Sequence, residues 1–326
     1  MKIYVGVTDG NWFDFLRDHN SDEVNFWKPS GGNFRAIQEG DLFLFKLKAQ
    51  RGGKIAGGGF FTRYLSMSVD WAWRAFGNEN GVNNLAELSD AIDRYRSSRS
   101  NGASGLESGL PLGNPQIGCI ILNEVFYFDE PDWFDVPGDA ARWRSIVSGK
   151  SYSTDEAEGK WLFDQVTMRL KGLEMGEGGH VKREQGLAAV PSGERYAYSR
   201  QKHRLGQGAF RALVADAYHD RCAITGERTM PVLQAAHIKP FSEDGPHEVT
   251  NGLLLRSDMH TLFDAGYLTV TPDLVIHVSH RLHDDFNNGR VYYAYQGRRL
   301  AVVPDSSQLR PSRDYLEWHN DTVYLR

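Results

Sequence analysis

Alternating apolar and polar positions in MKIYVGVTD predict a first β-strand, and NWFDFLRDH follows as a short amphipathic segment. The stretch DEVNFWKPSGGNFRAIQEGDLFLFKLKAQRGGKIAGGGFFTRYLS then reads as a strand, a Pro/Gly loop and a series of strands. Within it DLFLFKL is rich in β-formers and follows a Gly-Asp turn signal. Three successive glycines, 57–59, interrupt a strand pattern, which marks a bulge or a close backbone approach. DWAWRAFGNENGV begins as a helix and stops at a Gly/Asn cluster, and LAELSDAIDRYRSSR is helical. After the loop SNGASGLESGLPLGNPQ, the unbroken apolar run IGCIILNEVFYF predicts a buried strand. A turn-rich DEPDWFDVPGDA and a helical or irregular stretch to Val166 close this part of the chain.

The following KGLEMGEGGHVKREQGLAAVPSGERYAYSR is rich in glycine and charge and reads as a linker. GQGAFRALVADAYHD predicts a helix with Phe210, Leu213, Val214 and Ala217 on one face. VLQAAHI is a short apolar strand stopped by Pro240, and SEDGPHEVTNG is turn chemistry. LLLRSDMHTLFDAG reads as a short strand and then a helix, with Ser257 as N-cap and Gly266 just past its end. LTVTPDLVIHVSHRL predicts two strands turning at Pro272-Asp273. VYYAYQGRRLAVV predicts a hairpin turning at Gln296-Gly297, and RDYLEWHNDTVYL a closing helix. The expected organisation is α+β, with one domain over 1–175, a linker over 176–200 and a second domain over 201–326.

A chain of 326 residues is long enough for two cores. Cys119 and Cys222 are its two cysteines, so there is no disulfide framework, and a cytoplasmic setting is expected. A structural zinc of the four-cysteine type is excluded on the same count. Cys222 reads as a small buried hydrophobe beside the Thr225-Gly226 turn. The first residues lack the pattern of a signal peptide, and no apolar run is long enough for a membrane span. The net charge of −5 does not mark a nucleic-acid binder, but charge is local. Arg195, Arg200, Lys202, Arg204 and Arg211 fall within 195–215 without a carboxylate, a pattern suited to backbone phosphates. Arg204, Gln207, Arg211 and Lys239 are the candidate contacts to a DNA backbone.

Chemistry concentrates in 222–266, where His237, Asn251 and His260 follow one another on strand, loop and helix. His260 and Asp264 stand four residues apart, on one helix face. The arrangement suits metal-assisted hydrolysis of a phosphodiester: one histidine takes a proton from water, and a histidine with a carboxylate holds a divalent cation. C-x-x-T-G, A-A-H-I-x-P and N-G-L-L-L-x-x-D-x-H-x-L-F-D stand here in order, and the segment resembles the HNH, or ββα-metal, endonucleases. The resemblance implies that His237 is the general base and Asn251 braces its loop. His260 becomes a metal ligand with Asp264 as the second, and the cofactor is Mg²⁺, Mn²⁺ or another divalent ion. Many members of that family carry a ligand Asp or His immediately before the base, where this chain has Ala236. Asp264, Gln234 or water would then supply the missing ligand. His277, His280, His283 and His319 read as structural or surface residues.

NFWKPSGGNF, GDLFLFKL, IAGGGFF and AWRAFG resemble the EVE branch of the PUA-like β-barrel domains. That resemblance implies an N-terminal barrel with helices that takes a flipped modified base between aromatic rings. Trp27, read as part of a Pro/Gly loop, is the first candidate for such a wall, followed by Trp12, Phe34 and Trp73. The expectation is a modification-dependent DNA endonuclease acting on duplex DNA that carries 5-methylcytosine or 5-hydroxymethylcytosine. Because a single HNH site cuts one strand, a homodimer is expected. The alternative is a nucleic-acid-binding HNH protein that is non-catalytic or indifferent to modification.

Overall fold

The computed structural model describes residues 1–100, 114–138, 148–175 and 206–326, together with Trp143 and Ile146. The chain divides into two compact units, Met1–His203 and Arg204–Arg326.

The first unit is built on a mixed six-stranded sheet. Its elements run β1 (Lys2–Thr8), α1 (Gly10–Asp18), β2 (Glu23–Lys28), β3 (Leu42–Leu47), β4 (Ile55–Ser68), α2 (Val69–Phe76) and α3 (Leu85–Ser100). They continue with β5 (Gln116–Tyr127), β6 (Gly149–Ser153) and α4 (Ala157–Met175). The strand order is β2-β5-β4-β3-β1-β6. Only the β1–β3 pair is parallel, joined through α1 and β2; the other neighbours are antiparallel.

Alternation along the strands gives the sheet two buried faces. Ile3, Val5, Leu42 and Leu44 pack with Phe128, Phe134 and, from α4, Leu162 and Val166. Phe43, Phe45 and Leu47 point the other way, onto Trp12, Phe13 and Leu16 of α1 and onto Val24, Ile120 and Leu122. Helix α4 covers one face; on the other, α1 joins β2 and β5, because the sheet curls until Phe26 of β2 meets Phe43 of β3 at 4.7 Å. The expected closed barrel is not found: among the described residues β2 and β6 remain at opposite edges of an open sheet. The register of β4 slips between Gly58 and Phe60, where the triple glycine places a bulge. A Cβ on Gly58 would lie 2.6 Å from Phe43 O and 2.9 Å from the side chains of Leu44 and Phe126. Glycine there is a requirement of close strand packing.

Two expectations for this unit change. GKSYS forms the edge strand β6, although only Tyr152 in it is buried, so its pattern is too polar to announce a strand. KGLEM continues α4 to Met175 and is not linker; the expected linker 176–200 lies outside the described residues.

The second unit comprises α5 (Gln207–Ala217), β7 (Leu233–His237), β8 (Gly252–Arg256), α6 (Ser257–Asp264), β9 (Leu268–Val270), β10 (Ile276–Val278), α7 (Arg281–Phe286), α8 (Arg290–Tyr293) and α9 (Arg313–Thr322). β7 pairs antiparallel with β8, and β9 with β10. Helix α5 buries Phe210, Leu213, Val214 and Ala217 as its periodicity requires. The second hairpin expected over VYYAYQGRRLAVV is absent. Its first half is the short helix α8, fixed by Tyr293 Oη donating to Ser279 O at 3.0 Å, while Gly297 turns with φ +73° as anticipated. Ser257 is the first residue of α6 and not its cap; Arg256 takes that position and clamps Asp258 with two hydrogen bonds of 2.6 and 2.7 Å. No helix of the described residues is long and apolar enough to cross a membrane.

Candidate active site

The loop between β7 and β8 is held closed by one buried side chain. Asn251, fully buried, accepts from Lys239 N through Oδ1 at 2.9 Å and donates from Nδ2 to Lys239 O and Pro246 O, both at 2.9 Å. Its own carbonyl accepts from Ile238 N at 2.9 Å. An amide side chain is needed here, because only it offers one acceptor and two donors in this geometry. Cys222 is buried as expected, and its Sγ also accepts from Thr225 N at 3.4 Å and Arg256 N at 3.3 Å, tying the preceding turn to β8.

His237 ends β7, opposite Gly252 in the ladder. A Cβ at Gly252 would come within 2.5 Å of Val214 and 3.1 Å of the Phe210 ring. The glycine therefore lets α5 approach, and Phe210 lies flat on the His237 imidazole, 3.9 Å between centroids and 11° between planes. His237 Nε2 is 2.9 Å from Nδ1 of His247, which stacks in turn on Phe241 at 4.9 Å and 4°. Burial, with His247, His260 and Arg211 nearby, lowers the His237 imidazole to about 4, and Asp264 opposes the shift. Burial and Arg211 also lower His247. Both rings are neutral at pH 7, and a neutral imidazole is what a general base requires.

Across the hairpin, α6 presents His260 with Nε2 3.2 Å from Asp264 Oδ2 and Nδ1 2.8 Å from Gln234 Oε1. Gln234 and Ala236 share one face of β7 by strand alternation, and Ala236 is fully buried without a donor atom. With Nδ1–H donated to Gln234 Oε1, Nε2 is the ring nitrogen that faces the carboxylate oxygen. Two acceptors at that separation fit a cation between them. Among the described residues no group of three or more His, Cys, Asp or Glu side chains gathers to hold a metal. Two protein donors suit an ion such as Mg²⁺, which keeps several waters.

The remaining candidates distribute unevenly. Gln207 is exposed at the start of α5, and Arg211, one turn on, is close enough to depress both loop histidines. Lys239 follows His237 by two residues, with Nζ 5.7 Å from the Trp318 ring centroid. Arg204 lies outside the described residues, as do Arg195, Arg200 and Lys202. Buried His319 bonds to Thr269 Oγ1 at 2.8 Å and is structural, as read from the sequence.

In the first unit Trp12 is buried in the core, packed edge-on against Phe26 and Phe45 at 5.3 and 5.5 Å. Trp27 is not in the Pro/Gly loop: it lies on β2, opposite Cys119, and its indole donates to Asn80 O at 3.0 Å. Trp73 is half-buried on α2. Phe34 is half-buried among Tyr4, Phe61 and Tyr64, with centroids 5.0, 5.8 and 6.2 Å away.

His247 and Phe241 are site neighbours that the sequence did not announce. A histidine in a Gly-Pro-His turn has no periodicity to place it, and only its position between His237 and Asn251 hints at a role.

Comparison with known proteins is consistent with this geometry. Residues 222–271 match the family model described as HNH endonuclease. No curated protein matches the chain. The chain is similar to a solved structure titled "Modification dependent TagI restriction endonuclease", with 12% identity over 94% of this chain and 78% of that one. Its TM-score of 0.27 is too low to fix fold or activity. The identification therefore rests on the segment that carries His237, Asn251 and His260: residues 222–271 are an HNH endonuclease domain.

Proposed function

We propose that the protein is a modification-dependent DNA endonuclease, in which the second unit cuts and the first reads a modified cytosine. The observation that carries the nuclease part is the convergence of neutral His237, Asn251 and the His260–Asp264 pair within the HNH segment. His237 takes the proton of the attacking water, and Asn251 holds the loop in which that histidine is set. A divalent ion held by His260 and Asp264 would neutralise charge on the phosphate and the leaving 3′-oxygen. Gln234 accepts from His260 Nδ1–H and so orients the ring with Nε2 toward the place a metal would take. Arg211 borders the site and, with Lys239 and exposed Gln207, engages backbone phosphates, and the products carry 5′-phosphate and 3′-hydroxyl ends. One such site nicks one strand, so a double-strand break needs a homodimer or two successive nicks.

The reading of modified cytosine is supported by half-buried aromatic rings in the first unit. Phe34 is the foremost, since it sits next to the Pro/Gly loop among other rings, and Trp27 and Trp73 follow it. A base flipped out of the duplex loses its stacking neighbours, and flat rings replace them. The test is digestion of matched plasmids carrying cytosine, 5-methylcytosine or 5-hydroxymethylcytosine, with and without Mg²⁺. Cleavage confined to a modified plasmid is expected. Equal cleavage of all three would leave a nuclease without the reader.

A further inference from the structure

Two imidazoles meet in the β7–β8 loop: His237 Nε2 and His247 Nδ1 are 2.9 Å apart. Both rings are neutral at pH 7, so one proton lies between the two nitrogens, and its owner decides what His237 can do. If His247 donated it, His237 would carry its own proton on Nδ1 and accept on Nε2. No lone pair would then remain to take a proton from water. If His237 donates, its Nδ1 lone pair is open, and among the described residues no hydrogen bond occupies that atom. A base at His237 is therefore compatible only with the second arrangement.

The geometry points to His247 as the positioning residue of a histidine dyad: it accepts from His237 Nε2–H, fixes the tautomer and makes Nδ1 the basic atom. This inference rests on the reading of His237 as general base. The site is built to hold such a pair. Phe210 supports one ring and Phe241 the other, both nearly parallel to their histidine. Asn251 grips Lys239, two residues after His237, and Pro246, immediately before His247. The loop asparagine thus sets the spacing of both histidines at once. Arg211 on α5 and His260 and Asp264 on α6 are the charged and titratable groups that act on the His237 ring besides His247. As the proton arrives on Nδ1, the acceptor at Nε2 stabilises the imidazolium and keeps it from turning, the role a carboxylate plays in a catalytic triad.

Two measurements on the full-length protein test this. In long-range ¹H–¹⁵N spectra of histidine-labelled, metal-free protein, His237 is expected as the Nε2–H tautomer. His247→Ala should convert it to a mixture, and His247→Asn, which keeps an acceptor near the Nδ1 position, should restore it. A wild-type Nδ1–H tautomer, or a His247→Ala spectrum in which His237 is unchanged, overturns the proposal. In nicking of supercoiled 5-methylcytosine plasmid with Mn²⁺, His247→Ala should lower kcat about 10–100-fold, the usual cost of losing an orienting partner, with KM unchanged. His247→Asn should recover most of it. Protection of the Lys239 amide from hydrogen exchange checks that the loop remains closed in both variants. An inactive His237→Ala beside a fully active His247→Ala removes the dyad and leaves the general base standing. A fully active His237→Ala removes the general base itself.

Discussion

Replacing Asn251 by aspartate is the sharpest perturbation of the site, because it changes no shape. The Asn251→Asp carboxylate can still accept from Lys239 N, but the oxygen that replaces Nδ2 faces Lys239 O and Pro246 O, each 2.9 Å from the nitrogen it replaces. Two donated hydrogen bonds vanish, at about 0.5–1.5 kcal/mol net each, and two carbonyls lose a partner against a charge in a fully buried position. The loop should loosen by about 2–4 kcal/mol. At about 1.4 kcal/mol per tenfold, the Ile238 and Lys239 amides should exchange about 30- to 700-fold faster. Asn251→Ala loses all three side-chain bonds, the one accepted from Lys239 N included, but introduces no buried charge. Peptide-resolved hydrogen-exchange mass spectrometry over 238–251 reads the effect directly, with the first unit as internal control. Unchanged protection in Asn251→Asp would refute the claim that this amide holds the loop.

Other expectations follow from the same geometry. His237→Ala should lower cleavage about 10²- to 10⁴-fold with the fold intact by circular dichroism. Because His237 is depressed to about 4, its cleavage step should persist well below pH 6.5 and fall as pH drops through about 4. The same depression makes its contribution to stability present above about pH 6.5 and lost as pH falls toward the folded value; urea titrations across that window test the sign. Gln234→Ala should weaken Mn²⁺ binding about 10- to 100-fold by calorimetry, as loss of a ligand-orienting partner does, and Ala236→Asp should tighten it. In the first unit, Phe34→Ala and Trp27→Ala should each cost roughly one to two decades in affinity for modified DNA. Weak, salt-sensitive binding to unmodified DNA should remain.

The nuclease segment was legible because its chemistry is fixed by short-range order. A strand ending at His237, a turn-rich loop closing on Asn251 and a helix placing His260 over Asp264 are each local patterns, and each forms where expected. What the pattern could not give is tertiary. Ala236 reads as a missing ligand with Gln234 among its substitutes, but only the fold shows that Gln234 hydrogen-bonds the His260 ring. His247 became visible once the loop folded back onto β7. In the first unit the strands other than β6 are legible and their closure is not, since a barrel and an open sheet demand the same alternation. The difference lies in the edges: β2 and β6 stay unpaired with each other, although Phe26 reaches across to Phe43. Trp27 illustrates the same limit: the neighbouring Pro29 suggested a loop, yet pairing with β5 carries β2 through Lys28.

On the proposed reading, His237 and His260 of the HNH segment cut DNA with a divalent ion. Nicking of supercoiled 5-methylcytosine plasmid by the full-length protein tests it most directly, with wild type, His237→Ala and His260→Ala compared in Mn²⁺ and in EDTA. The expected result is nicking by wild type in Mn²⁺ alone, with both variants reduced at least about a hundredfold. Nicking that survives EDTA, or that either variant performs at the wild-type rate, would contradict it.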